Sequence, residues 1–141
     1  LKLHVNGLLI ALTEMLRRRQ PPLDPSLSSS LRAVELFLAA LPTRVDHDWT
    51  LDEMAAACGL HRSRFAHYCA RLTNMTPNDY LTKCRVEAAA HLLRSAPDLR
   101  VTDVAYRAGF GSSQYFATVF RQRTGCTPRE FRQRDFGSPR P

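Results

Sequence analysis

The sequence lacks the residue patterns on which most catalytic, metal and redox sites depend. Its four cysteines form no CxxC pair, its five histidines contain no i, i+4 pair, and its six glycines form no phosphate-binding loop. No apolar run approaches the roughly 20 residues that cross a bilayer, and the first residues do not resemble a secretory signal. These absences predict reduced core thiols, no metal, no cofactor and no enzyme, in a protein of the cytoplasm.

Lysine is scarce, whereas arginine is abundant. Of 20 basic residues 18 are arginine, and with 13 acidic residues they give the 141-residue chain a net charge of +7. Residues 30–59 carry a net −3, whereas residues 60–94 and 95–141 carry +4 each. Clustered positive charge is typical of nucleic-acid binding, although a basic surface without any partner is the plain alternative.

The first thirty residues predict a helix and a linker. Residues 1–19 place apolar side chains at the a and d positions of a short heptad pattern: Leu1, Val5, Leu8, Leu12 and Met15. A dimerisation helix and a core helix of an incomplete domain explain this pattern equally well. Residues 20–30, with three prolines and four serines, predict a linker. Because the chain starts with leucine, we expect a fragment of a longer protein.

The next segment predicts one helix and then a helix-turn-helix unit. Apolar residues recur at helical spacing over residues 33–41. Thr50 and Glu53 match a capping box that begins a second helix, and Gly59 follows where a left-handed C-cap costs least. A third helix is predicted over residues 62–73. Two short helices around a tight glycine turn are typical of a helix-turn-helix.

A connecting helix and a second copy of the pattern follow. Thr76 and Pro77 have the residue types of an N-cap and first helical position, and the connecting helix ends before Pro97. The buried positions and the turn glycine then recur at an offset of 50, which becomes 51 after one extra turn residue. The predicted fold is all-α. It comprises an N-terminal amphipathic helix, helix-turn-helix subdomains at 31–75 and 97–136, a connecting helix at 76–96 and a tail at 137–141.

The second helix of each unit predicts a DNA-reading surface. Its exposed positions contain no acidic residue, which would repel phosphate. The candidates are Ser63, Arg64, Ala66, His67 and Arg71 in the first unit, and Ser112, Ser113, Gln114, Ala117, Thr118 and Arg121 in the second. Glutamine can pair with adenine, arginine with guanine or phosphate, and an alanine methyl suits the thymine methyl group. For the small residues, a bystander role that only permits close approach is an equal alternative.

The spacing of the two units suits a double-stranded DNA partner. Two helices on one face of DNA lie about 34 Å apart, and a connecting helix of 18 residues would be about 27 Å long. We therefore expect the two recognition helices to enter successive segments of the major groove.

Three motifs between residues 49 and 132 carry a family resemblance. They are WTLDEMAAACGL, RVEAAAHLL and VTDVAYRAGFGSSQYFATVFRQRTGCTPREFR, and the stretch that they span, from Trp49 to Arg132, is about 85 residues long. This stretch resembles the DNA-binding domain of the AraC/XylS family of bacterial transcription regulators. Two departures from the family pattern are Asn74, which stands where glycine is usual, and Cys69, which stands where an aromatic residue is common.

The resemblance implies a sequence-specific regulator with two recognition helices and an N-terminal effector-binding domain. It implies base-facing roles for Ser63, Ala66 and His67 in the first unit, and for four residues in the second: Ser113, Gln114, Ala117 and Thr118. It favours a homodimer through residues 1–19 and makes RNA polymerase a further candidate partner, while activation and repression remain alternatives. Two other hypotheses are a basic protein-interaction module tethered by a short coiled coil, and a cysteine-dependent alkyl transferase.

Overall fold

The computed structural model of the chain describes residues 25–136, which form seven α-helices and one 3₁₀ turn and contain no β-strand. The helices are α1 (Pro25–Ala40), α2 (Leu51–Ala57), α3 (Arg62–Thr73), α4 (Pro77–Ser95), α5 (Val101–Arg107), α6 (Ser113–Thr124) and α7 (Pro128–Phe136), and the 3₁₀ turn spans Leu41–Thr43. The all-α prediction is confirmed. The predicted dimerisation residues, from Leu1 to Met15, lie outside the described residues. No helix within residues 25–136 is both long and apolar enough to cross a membrane.

The first helix corrects the linker prediction. α1 begins at Pro25, so residues 25–30 are helical. Proline is tolerated at the first helical position because an N–H there would have no helical partner. The hydroxyls of Ser28 and Ser29 donate to the carbonyls of Pro25 and Ser26 at 2.9 and 3.0 Å. A serine run can therefore bond within the first helical turns instead of breaking them.

Side-chain caps fix where several helices begin. The Thr50 amide donates to Glu53 Oε2 at 2.9 Å, and the Glu53 amide donates to Thr50 Oγ1 at 3.2 Å, which completes the predicted capping box of α2. The Thr50 amide and hydroxyl also lower the pKa of Glu53. Thr76 caps α4 by accepting from the Asp79 amide, as predicted. These bonds satisfy amides that a helix start would otherwise leave unpaired.

Each helix-turn-helix unit has its own hydrophobic cluster. In the first, α1, α2 and α3 bury Val34, Leu38, Met54, Ala55, Phe65, Tyr68 and Cys69. In the second, α4, α5 and α6 bury Val86, Ala89, Leu93, Val104, Ala105, Ala108, Phe110, Phe116, Val119 and Phe120. Tyr80, near the start of α4, packs on the first cluster and donates its hydroxyl to the Leu38 carbonyl at 3.2 Å. The connecting helix is therefore shared between the two units.

Candidate nucleic-acid interface

The two helix-turn-helix units have matching element lengths. α2 and α5 each contain 7 residues and begin 50 positions apart, whereas α3 and α6 each contain 12 residues and begin 51 positions apart. The extra residue lies in the second turn, as the sequence repeat predicts. Gly59 and Gly109 open the two turns with φ values of +66° and +86°. The helices that follow them are therefore structural counterparts, and we call α3 and α6 the recognition helices.

Buried apolar residues orient each recognition helix. Phe65 and Cys69 are fully buried in α3, and their counterparts Phe116 and Phe120 are fully buried in α6. Asn74 ends α3 with a φ of +56°, and Gly125 ends α6 with a φ of +82°. Asparagine thus adopts the left-handed conformation at the position that glycine occupies in the second unit. Because the buried sides correspond, the opposite sides of the two helices also correspond.

The recognition faces lie on those opposite sides. Positions spaced i, i+3, i+4 and i+7 share one side of a helix. On α3 these positions are Ser63, Ala66, His67 and Ala70, and their counterparts on α6 are Gln114, Ala117, Thr118 and Arg121. All are solvent-exposed except the two central alanines, Ala66 and Ala117, which are partly buried. Neither face contains an acidic side chain.

The longer polar side chains near these faces are available to a ligand. The side chains of Arg64, Arg71 and Gln114 are exposed, and none binds another group among residues 25–136. Thr118 Oγ1 donates to the Gln114 carbonyl of its own helix at 3.1 Å. Ser112 accepts from the Tyr115 amide at 3.1 Å and so caps α6, while Ser113 is partly buried. Gln114, rather than Ser113, is thus the first α6 side chain that projects freely.

An acidic residue does lie near the first recognition helix. Arg64, His67 and Arg71 share an open groove with the start of α1, and Glu35 also lines this groove. Glu35 accepts from Arg32 Nη1 at 2.7 Å, so its charge is paired. The net charge along the groove consequently remains positive, which suits a phosphate backbone.

One exposed aromatic residue at this surface, Tyr115, is not among the candidates predicted from the sequence. The Tyr115 side chain is 57% exposed in the first turn of α6. The offset of 51 aligns it with Arg64, which is a predicted candidate, so the repeat contains the signal that identifies it. Its ring is an edge-on neighbour of Phe110, with centroids 6.2 Å apart. Tyr115 therefore joins the candidate contact residues.

The cysteines form no site. All four are unpaired, with Cys69, Cys84 and Cys126 buried and Cys58 partly buried. Burial raises the pKa of the Cys58, Cys69 and Cys84 thiols, which disfavours the reactive thiolate. In the part of the chain that the structure describes, no three His, Cys, Asp or Glu residues are grouped as metal ligands.

Comparison with known proteins finds the same architecture in DNA-binding regulators. Residues 54–134 match the family described as "Helix-turn-helix domain". The transcriptional activator RhaS from Escherichia coli (strain SE11) is 34% identical over 119 residues, which cover 84% of this chain and 42% of that protein. The chain thus spans less than half the length of this relative. The sequence prediction that the chain is not an enzyme is confirmed, since its relatives are transcription regulators.

Solved structures agree with the sequence comparison. The DNA-binding domain of AdpA, described as a global transcriptional factor in complex with a target DNA, is 27% identical with a TM-score of 0.67, covering 70% of this chain and 88% of that one. A DNA-binding transcriptional dual regulator from Escherichia coli K-12 is 25% identical with a TM-score of 0.67, covering 75% of this chain and 94% of that one. The residues that match the family, 54–134, include the connecting helix and both recognition helices.

Proposed function

Because the chain belongs to the AraC/XylS family of DNA-binding transcription regulators, we propose that it reads double-stranded DNA with α3 and α6 in successive segments of the major groove. The observation that carries this proposal is the pair of acid-free recognition faces at corresponding positions of two helices. α4, which connects the units, has 19 residues and is therefore about 28 Å long. That length is compatible with major-groove segments about 34 Å apart.

The side chains on the two faces suggest different contributions. Gln114 presents a donor and an acceptor, which can pair with adenine N6 and N7. The corresponding residue on α3 is Ser63, whose short hydroxyl offers less discrimination, so Arg64 and His67 are the better reading groups of the first unit. Ala66 and Ala117 allow close approach to the groove. Most base discrimination in this arrangement comes from α6.

Replacing Gln114 tests base reading directly. We expect Gln114→Ala to relax discrimination at one base pair by about 1–3 kcal/mol, because the bidentate contact is lost. Arg121→Ala, the matched comparison, removes a positive charge. We expect it to weaken binding to all DNA sequences by a similar factor. A selection from a random duplex library, followed by affinities at two salt concentrations, measures both effects. Equal wild-type affinity for every duplex would contradict sequence-specific reading.

The whole protein would combine this domain with a sensing part. We infer a small-molecule-binding N-terminal domain, dimerisation through Leu1, Val5, Leu8, Leu12 and Met15, and regulation of RNA polymerase in the bacterial cytoplasm. The relative named as a transcriptional activator favours activation over repression. Sedimentation of residues 1–141 against residues 25–141 tests the dimer, and an identical association state in the two would contradict it.

A further inference from the structure

The two helix-turn-helix units meet at a small junction built around one backbone carbonyl. The carbonyl belongs to Val45, in the loop between the 3₁₀ turn and α2 of the first unit. Arg85, from the middle of α4, donates its Nε to this oxygen at 3.1 Å and its Nη2 to the His47 carbonyl at 3.0 Å. The connecting helix is thereby bonded to the first unit by two directed hydrogen bonds from one planar group.

The second unit reaches the same carbonyl through Gly109. A Cβ atom on Gly109 would lie 2.0 Å from the Val45 oxygen and 2.8 Å from Arg85 Nε. The backbone of the second turn therefore packs against the Val45 carbonyl with no room for a side chain. Three parts of the chain, namely the first-unit loop, the connecting helix and the turn before α6, meet at this point.

Arg85 is partly buried at this junction. Burial lowers the pKa of its guanidinium, and the nearby Asp48 and Tyr115 act in the opposite direction. Tyr115 lies in the first turn of α6, so Arg85 sits between the first-unit loop and the second recognition helix. Arg123 of α6 makes longer contacts with the start of α4: its Nη2 lies 3.4 Å from the Asp79 carbonyl oxygen and 3.9 Å from Asp79 Oδ1. Arg85 is thus the better placed of the two arginines to fix the units relative to each other.

We propose that Arg85 is a positioning residue that sets the spacing of the two DNA segments that one chain can read. The inference rests on the proposed two-helix reading of DNA and adds a determinant that touches neither base nor phosphate. One added base pair moves the second segment by about 3.4 Å and rotates it by roughly 34° about the DNA axis. A rigid junction cannot follow that displacement, whereas a loosened one can.

The test compares spacing tolerance in matched variants. A duplex selected by the wild-type chain is rebuilt with one base pair inserted or removed between its two protected segments. For the wild type we expect at least a tenfold loss of affinity on either change. For Arg85→Ala we expect less than a threefold loss, because the hydrogen bonds to Val45 and His47 are gone. Arg85→Lys, which keeps the charge but has one donor nitrogen in place of the two that Arg85 uses, should fall between them.

Arg94→Ala is the matched control. Arg94 is another arginine of α4, but its partners, Asp135 at 2.6 Å and the Phe131 ring at 4.8 Å, lie in α7 of the second unit. Its removal costs one positive charge without touching the junction, so we expect wild-type spacing sensitivity. Circular dichroism checks that each variant is folded. If Arg85→Ala lacks the wild-type helical signal, the spacing tolerance of Arg85→Lys is used to test the proposal instead.

The outcomes separate this proposal from the proposed function. If both Arg85 variants remain as sensitive to spacing as the wild type, or if the wild type itself tolerates the altered spacing, the positioning role is overturned. If scrambling one whole segment leaves wild-type affinity unchanged, two-helix reading itself fails. Loss of spacing sensitivity in Arg94→Ala as well would also overturn the role assigned to Arg85.

Discussion

Gly109→Ala is expected to destabilise the domain by about 3 kcal/mol or more, which is a large share of the 5–15 kcal/mol typical of a folded protein. Two costs add together. The φ of +86° disfavours any residue with a Cβ by about 1–2 kcal/mol. The new methyl would also lie 2.0 Å from the Val45 carbonyl oxygen. Because that oxygen belongs to the backbone, the clash can be relieved only if the two units move apart. The resulting overpacked contact adds a further cost to the free energy of folding.

Gly125 provides the matched control for this prediction. Its φ of +82° is nearly the same, but no atom lies within 4 Å of the position that a Cβ would take. We expect Gly125→Ala to cost only the conformational part, about 1–2 kcal/mol, and Gly125→Asn less, since Asn74 already adopts a φ of +56° at the corresponding position. Urea denaturation measures all three variants. Equal destabilisation by Gly109→Ala and Gly125→Ala would show that the junction is not tightly packed.

Much of the local structure was predictable because it depends on neighbouring residues. The capping box at Thr50, the N-caps at Thr76 and Ser112, and the left-handed conformation at Gly59 each follow from residue types within a few positions. The repeat then predicted the matching helices and their buried sides, because periodicity records which side of a helix faces a core. The start of α1 was not predictable from the prolines and serines, since their effect depends on whether a helix continues through Ser29.

The contacts between the units were beyond what a sequence pattern can show. Gly109 is predictable as a turn glycine, but its approach to the Val45 carbonyl joins residues that are distant in the chain. In the sequence, Arg85 is likewise one more cation in a basic segment, whereas in the structure it donates hydrogen bonds to two backbone carbonyls. Tyr115 differs from the sequence expectation for another reason: its aromatic ring suggests a core residue, yet its register corresponds to exposed Arg64. Helical register was the better guide there.

Ala117→Glu is expected to lower affinity for the selected DNA by at least about 100-fold, or roughly 2.7 kcal/mol. Ala117 is the central small residue of the α6 recognition face. A carboxylate there would face the phosphates of the groove, and like charges brought together at an interface cost several kcal/mol. The fold should be unaffected, because Ala117 is only partly buried within a helix that accepts glutamate readily. Fluorescence anisotropy at fixed salt measures the loss.

Two variants distinguish local repulsion from a change in total charge. Ala39→Glu adds the same charge at an exposed position near the end of α1, which belongs to neither recognition face, and should weaken binding less than threefold. Ala117→Lys adds a side chain of similar length with the opposite charge. This variant should retain most of the overall affinity, because the lysine side chain attracts phosphate. It should weaken base discrimination, because that side chain still fills the groove. If Ala39→Glu weakens binding as much as Ala117→Glu, total charge rather than an acid-free α6 face controls affinity, and α6 is not the helix that enters the groove.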